Sequence, residues 1–424
     1  MNEVRPFRAL RYDPARVDLG RVLVPPYDVI SAADRVRLYQ GDPHSAVRLE
    51  LTREVQDEAT TDYAEIRERL DAWQAEGVLL RDSRPGFYAL RQRFRAPDGS
   101  DATREGFFGL LRLRDYERRV VRPHEHTLAG PKADRLKILR ASGANLSSVF
   151  LLYEDRDDSL PGIVAPDFEA VDALCARDEA GAEHTLARVE EPERVKALTQ
   201  LLADRPLVIA DGHHRYETAL AYRDECRRAR PDAGPDAPFE FLLAYFANVF
   251  APGSLLLPIH RLVLRGSVPT DSEWKERLPG WKQESVAVTS AEEIPDLLAG
   301  HLAPLRDRHA FAADDAMGRL RIFSRERRRD ELSVRVIHQE VIEGVFALDE
   351  AAVRGGAIAY PKDTVQTARD LRAGEGRVAL YLNPLAPDDV FRATAAGEVM
   401  PQKSTFFFPK LPTGLVFRLL EEEA

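Results

Sequence analysis

The stretch Leu207-Val208-Ile209-Ala210-Asp211-Gly212-His213-His214-Arg215-Tyr216-Glu217-Thr218-Ala219-Leu220 decides how this chain reads. Its four leading apolar residues form a short buried strand. Asp-Gly ends that strand, and Gly212 permits a tight turn that side-chain-bearing residues resist. A helix follows at once and runs to about Arg228. The first turn of such a helix has backbone N–H groups without intrahelical partners and the positive end of the helix dipole, which suits an anion. His213, His214 and Arg215 stand at that turn. Arg215 can grip a phosphate through two N–H bonds, and the histidines can donate as well. Asp211 adds a carboxylate beside such a phosphate, where Mg²⁺ would bridge the two. The plainer alternative is that Asp211 caps the helix and the histidines are surface residues.

Working outward, the same alternation of strand and helix recurs. Ser148 to Tyr153 reads as a buried strand, and Pro131 opens a helix to about Arg140. Residues 87–94 and 106–113 alternate as two strands, with Pro97-Asp98-Gly99 making a hairpin of them. Tyr63, Ile66, Leu70 and Trp73 share one helical face, with Gly77 as its stop. Ser31 and Asp34 have capping-box spacing for a helix through about Tyr39. Val22 to Val24 reads as a strand, residues near 168–177 and 191–203 as helices, and the apolar runs 240–250 and 254–264 as strands. Val378 to Leu382 and Ser404 to Phe408 are strands of the C-terminal part. The class is α/β or α+β, with mixed sheets and flanking helices.

The length of 424 residues exceeds what one hydrophobic core supports, so two or three domains are expected. We place their limits at 1–265, 266–350 (helical or α+β) and 351–424, a β-rich segment able to return to the first region. The hydrophobic share of 44% and charged share of 31% are those of a globular chain. Cys175 and Cys226 form no CxxC or Cys/His cluster, so neither disulfide nor structural zinc is expected. The net charge of −10 argues against broad nucleic-acid binding. The N-terminal residues have no apolar signal region, and the most apolar stretch, Phe241 to Phe250, is far below the ~20 residues of a membrane helix. A cytoplasmic address without membrane or nucleic-acid partners follows by elimination. A homo-oligomer stays open.

A second cluster is Pro123-His124-Glu125-His126-Thr127, with Arg118, Arg119 and Arg122 before it and Lys132 and Arg135 after it. In an extended segment His124 and His126 share a face. They could be metal ligands, though no third ligand is evident. Glu125 or His124 could be a general base or acid. The cluster could also be a hydrogen-bonded loop. Three weaker signals remain. Pro25-Pro26-Tyr27-Asp28 gives a stiff wall with one carboxylate, Asp28, or a cap for the next helix. His260-Arg261 could face a pocket or solvent. Pro401-Gln402-Lys403-Ser404-Thr405 with Lys410 offers phosphate contacts, or solvated lysines. No Walker A, GxGxxG, GxSxG or HExxH pattern is present.

Several motifs agree in order with one family. RPFRALRYDP, VLVPPYDVIS, PHEHTLAGPKADRLKIL, IADGHHRYETAL, LPIHRLV and MPQKSTFFFPKLPTGLV together resemble the bacterial and archaeal family called domain of unknown function 1015. The GHHRY turn is also similar to the phosphate-binding loop of the ParB/sulfiredoxin superfamily, whose members bind a nucleotide where that turn opens a helix. His213 stands where sulfiredoxins have their catalytic cysteine, so sulfinic-acid reduction is not implied. The free serine kinase branch has a comparable Asp-Gly-His-His-Arg turn. That likeness implies a ParB/sulfiredoxin-like nucleotide-binding core, with ATP or ADP as nucleotide. It implies phosphoryl transfer to or from free serine or a similar small hydroxy acid. Gly212, His213, His214, Arg215 and Lys403 would then serve the phosphates, Asp211 the Mg²⁺, and Glu125, with His124 beside it, the substrate proton. Asp28 is the alternative base. A phosphoserine-type phosphatase, or a nucleotide-switched binding protein of ParB type, would use the same turn.

Overall fold

The computed structural model describes residues 1–51, 62–125, 129–328, 331–398, 400, 401 and 403–421; the side chains of residues 129–131 are not part of that description. The expected roles of His126 and Gln402 fall outside the described residues. The chain forms two compact units, residues 1–255 with 409–424, and residues 256–408. Strands from the first and last thirds of the sequence thus share the first unit. One sheet of the second unit joins strands of the expected middle region to the strand Val378–Leu382.

The first unit is built on a mixed nine-stranded sheet. Its centre is Phe241–Asn248, in which every residue is buried, as a strand covered on both faces requires. On one side it pairs antiparallel with Asp101–Arg112, which forms the expected hairpin with Phe87–Arg95 through a turn where Gly99 has φ +83°. On the other side it runs parallel to Val149–Tyr153, which pairs antiparallel with Leu207–Asp211. The ladder is irregular between Ile209 and Asp211, a bulge of the kind that re-aims side chains next to functional sites. The helix Pro192–Leu202, capped by Glu191, and the helix His213–Ala229 pack Leu198, Leu202, Tyr216 and Ala219 onto the sheet residues Phe107, Ile209 and Phe246.

A second cluster in this unit gathers Val47, Ile66, Leu70, Trp73 and Ile138 with Phe417 and Leu419 of the last segment. Ser31 and Asp34 make both halves of the capping box, and the helix covers Ala32–Gly41. The helix Ala64–Ala75 buries Ile66, Leu70 and Trp73, as their spacing requires. The last segment is tied in by backbone pairing: Arg418–Leu419 with Ala144–Asn145, Phe417 with Leu10, and Thr413 with Val24.

Three local expectations change, the first being that the run 254–264 forms two short strands of different sheets, Leu255–Leu257 and Arg261–Val263, and not one. Residues 19–22 make one helical turn capped by Asp18, and of the expected strand at 22–24 only Val24 makes a bridge. Residues 174–177 form an edge strand against Glu183–Val189, not the expected helix, because the chain turns back at Gly181 (φ +84°) into a hairpin. The second unit is a six-stranded sheet in which Arg261–Val263 and Val378–Leu382 pair next to His309–Asp314 and Arg319–Arg325. Its core holds Trp274, Phe311 and Phe323 with residues of 337–348. The molecule is of the mixed α/β class, with several sheets and flanking helices. Among the described residues no helix is long and apolar enough to cross a membrane, and Cys175 and Cys226 are free thiols.

Candidate functional site

The turn at 211–215 is set by one backbone angle. Gly212 sits at φ +90°, and a Cβ there would meet Arg215 Nε at 2.8 Å. Glycine is therefore required twice, by conformation and by the guanidinium lying against it. Gly212 begins the helix His213–Ala229 without any side-chain cap. Asp211 is not that cap. Its Oδ2 accepts from Arg215 Nη2 at 2.6 Å, and its Oδ1 accepts from Lys410 Nζ at 2.5 Å. Burial opposes the Asp211 charge, yet Lys410 and Arg215 beside it hold its pKa well below the ordinary value. The carboxylate is thus a fixed anion between two cations.

Arg215 is held on both sides. Burial works against its charge, and Asp211 more than restores it, so its pKa is raised. Nη1 donates to Ser148 O at 2.6 Å. Its Nε is buried without a hydrogen-bond partner among the described residues. Such an orphaned donor is costly and invites an acceptor.

The second cluster reaches the same place. The rings of His124 and His213 meet edge to face at 4.6 Å between centroids. His124 N–H donates to His213 Nε2 at 3.3 Å, and His124 Nδ1 donates to Ile209 O at 2.5 Å. His124 is 1% exposed and His213 8%. Burial first, and His124 second, push the His213 pKa down to about 3. His213 is therefore a neutral, inward-facing ring whose Nε2 is already occupied, not an exposed cation. Glu125 stands at the rim, its Oε1 3.7 Å from His124 Nε2. Half-buried His214 also has a lowered pKa, first from burial, against the pull of Glu217 and with the push of Lys132. Lys132 itself pairs with Glu217 at 2.9 Å.

Asp28 lies exposed in the one-turn helix Tyr27–Val29 after Pro26, while Ser31 caps the next helix. Its charge acts on both His214 and Arg215. The Tyr27 ring carries the Arg135 guanidinium at 4.0 Å, and burial, against the pull of Arg215 and Arg135, pushes its hydroxyl up to about 12. Arg135 pairs with Glu50 at 2.9 Å, both nearly fully buried. A cavity of about 50 Å³ lies against Arg215, lined also by Glu50, Arg135, Asn145, Ser147 and Thr218.

The structure therefore brings Asp28, His124, Glu125 and Asp211 to Arg215 into one neighbourhood of the first unit. Lys403 is an exposed residue of the second unit at φ +59°. His260 also belongs to the second unit, buried with Nε2 at 3.0 Å from Thr364 Oγ1, an internal bond and no pocket wall. Lys410, named in the sequence beside Lys403 but not carried into the proposed phosphate set, is the lysine that stands at this turn. Its one local signal is stiffness, since Pro409 and Pro412 flank it.

Comparison with known proteins gives a family and a distant structural likeness. The model of the family "Protein of unknown function (DUF1015)" matches residues 4–310. No curated protein matches. Among solved structures, a conserved hypothetical protein from Pyrococcus furiosus is 13% identical, over 71% of this chain and 92% of that one, with a TM-score of 0.34. Free serine kinase in complex with AMP is 13% identical, over 70% and 89%, with a TM-score of 0.34. SbnI with a C-terminal truncation, from Staphylococcus aureus, is 11% identical, over 72% and 87%, with a TM-score of 0.34. With its matched segment spanning most of its length, the chain belongs to the DUF1015 family.

Proposed function

We propose that the first unit transfers a phosphoryl group between a nucleotide, ATP or ADP, and the hydroxyl of free serine or a similar small hydroxy amino acid. The observation that supports this most is the uncapped helix start at Gly212, with Arg215 fixed across it and its Nε left without a partner among the described residues. Helix-start N–H groups, a positive dipole end and an oriented guanidinium are what phosphate oxygens need. The likeness of the Asp-Gly-His-His-Arg turn to that of free serine kinases points the same way.

In this reading Arg215, the first N–H groups of the helix and His214 hold phosphate oxygens. His213 braces the turn from behind through His124. The substrate hydroxyl oxygen bonds to phosphorus as the bond to the nucleotide's leaving oxygen breaks. The hydroxyl proton passes to Glu125, and the charge left on the leaving oxygen is met by the cations. Such catalysis is mostly positioning and charge stabilisation. Glu125 is preferred as base because it sits beside a buried histidine pair, whereas Asp28 is exposed. The cavity against Arg215 has room for several water-sized groups, each needing roughly 10–15 Å³. Its lining is half apolar (Ile138, Leu139, Ala144, Leu146, Ala219 and Leu242), and its Glu50 carboxylate is already paired with Arg135, so it supports only a small ligand beside Arg215. The reaction draws on a nucleotide pool and so belongs in the cytoplasm.

A divalent ion held by Asp211 fits poorly. Both carboxylate oxygens are in ion pairs, with Arg215 and with Lys410, which an ion would have to displace. The test is incubation with serine and ATP or ADP, followed by detection of phosphoserine. Phosphoserine is the expected product. Release of phosphate from phosphoserine without nucleotide would make the protein a phosphatase. Nucleotide binding without any turnover would make it a binding protein.

A further inference from the structure

We propose that Asp211 is a counter-ion hub and not a metal ligand, and that Lys410, which it holds opposite Arg215, is a further anion-binding side chain of the same site. This rests on the reading of the 211–215 turn as a phosphate site. Three observations carry it.

The first is charge balance. One carboxylate, Asp211, takes a guanidinium on one oxygen and an ammonium on the other. The trio keeps a net positive charge, next to the positive end of a helix dipole. Neutralising two cations halfway, rather than completely, leaves them attractive to an anion while fixing where they point. The second is reach. Lys410 is 18% exposed and Asp211 12%, so the ammonium is neither sealed in nor waving in solvent. An ammonium offers three donors in rotatable positions, and the bond to Asp211 fixes where the group sits. The third is position. Lys410 arrives on a segment with Pro409 and Pro412 on either side, whose neighbours Thr413 and Phe417 are hydrogen-bonded to Val24 and Leu10 of the same unit. A stiff segment pinned by backbone bonds is an expensive way to place a merely solvated lysine.

The metal alternative predicts something different. If Asp211 held a divalent ion, Lys410 and Arg215 would have to leave its oxygens. Binding of a polyphosphate would then depend on the metal. If Asp211 is a hub, the cations themselves meet the phosphate and binding survives without metal.

The experiment is calorimetric titration of pyrophosphate, and separately of ADP, each in EDTA and in Mg²⁺. It compares the wild type with Lys410→Met, Lys410→Arg, Asp211→Asn and Arg215→Ala, with thermal melts to check folding. Loss of one charge-assisted contact should weaken pyrophosphate in EDTA by about 10–100-fold in Lys410→Met, with Lys410→Arg largely restoring it. Asp211→Asn decides between the models. Removing a negative charge next to an anion should by itself tighten binding, but a lost hub releases both cations and should weaken it several-fold even in EDTA. Equal affinity in wild type and Lys410→Met overturns the proposal and leaves the phosphate-site reading standing, provided Arg215→Ala still weakens binding. An Asp211→Asn variant that loses only a Mg²⁺-dependent increment also overturns it, in favour of the metal. Pyrophosphate binding that depends on Lys410, with no binding of ADP, keeps the proposal and rejects the nucleotide reading. A wild type that binds neither ligand rejects both. If Lys410→Met does not fold, Lys410→Arg and Asp211→Asn still separate the hub from the metal.

Discussion

Arg215 in the first unit, largely buried, and Arg321 in the second, fully buried, are both arginines held by an aspartate a few residues away. Arg321 gives Nη1 to Asp315 at 2.7 Å and Nε to Asp271 at 2.9 Å, and Arg319 shares Asp271 at 3.0 Å. Two guanidiniums there meet two carboxylates. Arg215 has one carboxylate, which it shares with Lys410, and its Nε has no partner among the described residues. The balanced knot is closed on itself and needs nothing from outside. The other shares one carboxylate between two cations and leaves the Arg215 Nε donor without a partner among the described residues, at a helix start. Burial and ion pairing are common to both, so neither marks a ligand site; the unused donor does.

If this contrast is right, damage should fall on turnover and binding at one knot and on stability at the other. The largest effect is expected for Glu125→Gln at the rim of the first. Losing the base should lower phosphotransfer by about 10²–10⁴-fold with nucleotide affinity unchanged, measured as kcat beside calorimetric Kd. Full activity in Glu125→Gln with loss in Asp28→Asn would move the base to Asp28. Next comes Arg321→Ala, which strands the buried Asp315. It should cost about 3–5 kcal/mol of stability, read from the denaturant midpoint, with ligand affinity intact. Comparable loss of ADP binding would erase the distinction between the knots.

Arg215→Ala should reverse that pattern, weakening ADP by about 1.5–3 kcal/mol with a smaller change in melting, because Lys410 still accompanies Asp211. Gly212→Ala should cost about 1–2 kcal/mol for the left-handed backbone alone, and the displaced Arg215 should lower affinity too. Stability reduced without any loss of affinity would detach Gly212 from the guanidinium. A further effect, spread over several pH units, is a pH slope. His213 titrates near 6.5 when unfolded and near 3 when folded, so the unfolded state binds more protons between those values. Stability should therefore be complete above about pH 6.5 and fall as pH drops towards 3, by at most about 1.4 kcal/mol per pH unit from this group. His213→Gln should flatten that part of the curve. An unchanged curve would mean His213 is not held neutral.

Much of this was written locally in the sequence. Ser31 and Asp34 signal a helix start because both halves of their bond pattern lie within three residues. Pro97-Asp98-Gly99 specifies its hairpin because the turn needs a left-handed glycine. The 207–220 stretch reads as strand, turn and helix for the same reason. What failed was set elsewhere in the chain. Leu174 to Arg177 is the exception, a strand made by its own hairpin neighbour Glu183–Val189 across the turn at Gly181. His213 looks like a surface donor until His124, 89 residues away, is seen packed on it. Lys403 and Lys410 are equivalent lysines until the fold puts one of them on Asp211.

The pairing of Asp211 with Lys410 spans 199 residues of chain, and residues 256–408, the whole second unit, come between them in order of synthesis. At ~5–20 residues per second, a ribosome needs roughly 10–40 s to travel from one to the other. During that interval the nascent first unit holds Asp211 and Arg215 without their lysine, and Leu10 and Val24 without their C-terminal partners. The emerging protein therefore carries an unfinished edge that only its last residues can close. Translation that stops before Lys410 yields a chain that has made nearly every element of the fold and still lacks the ammonium that pairs with Asp211.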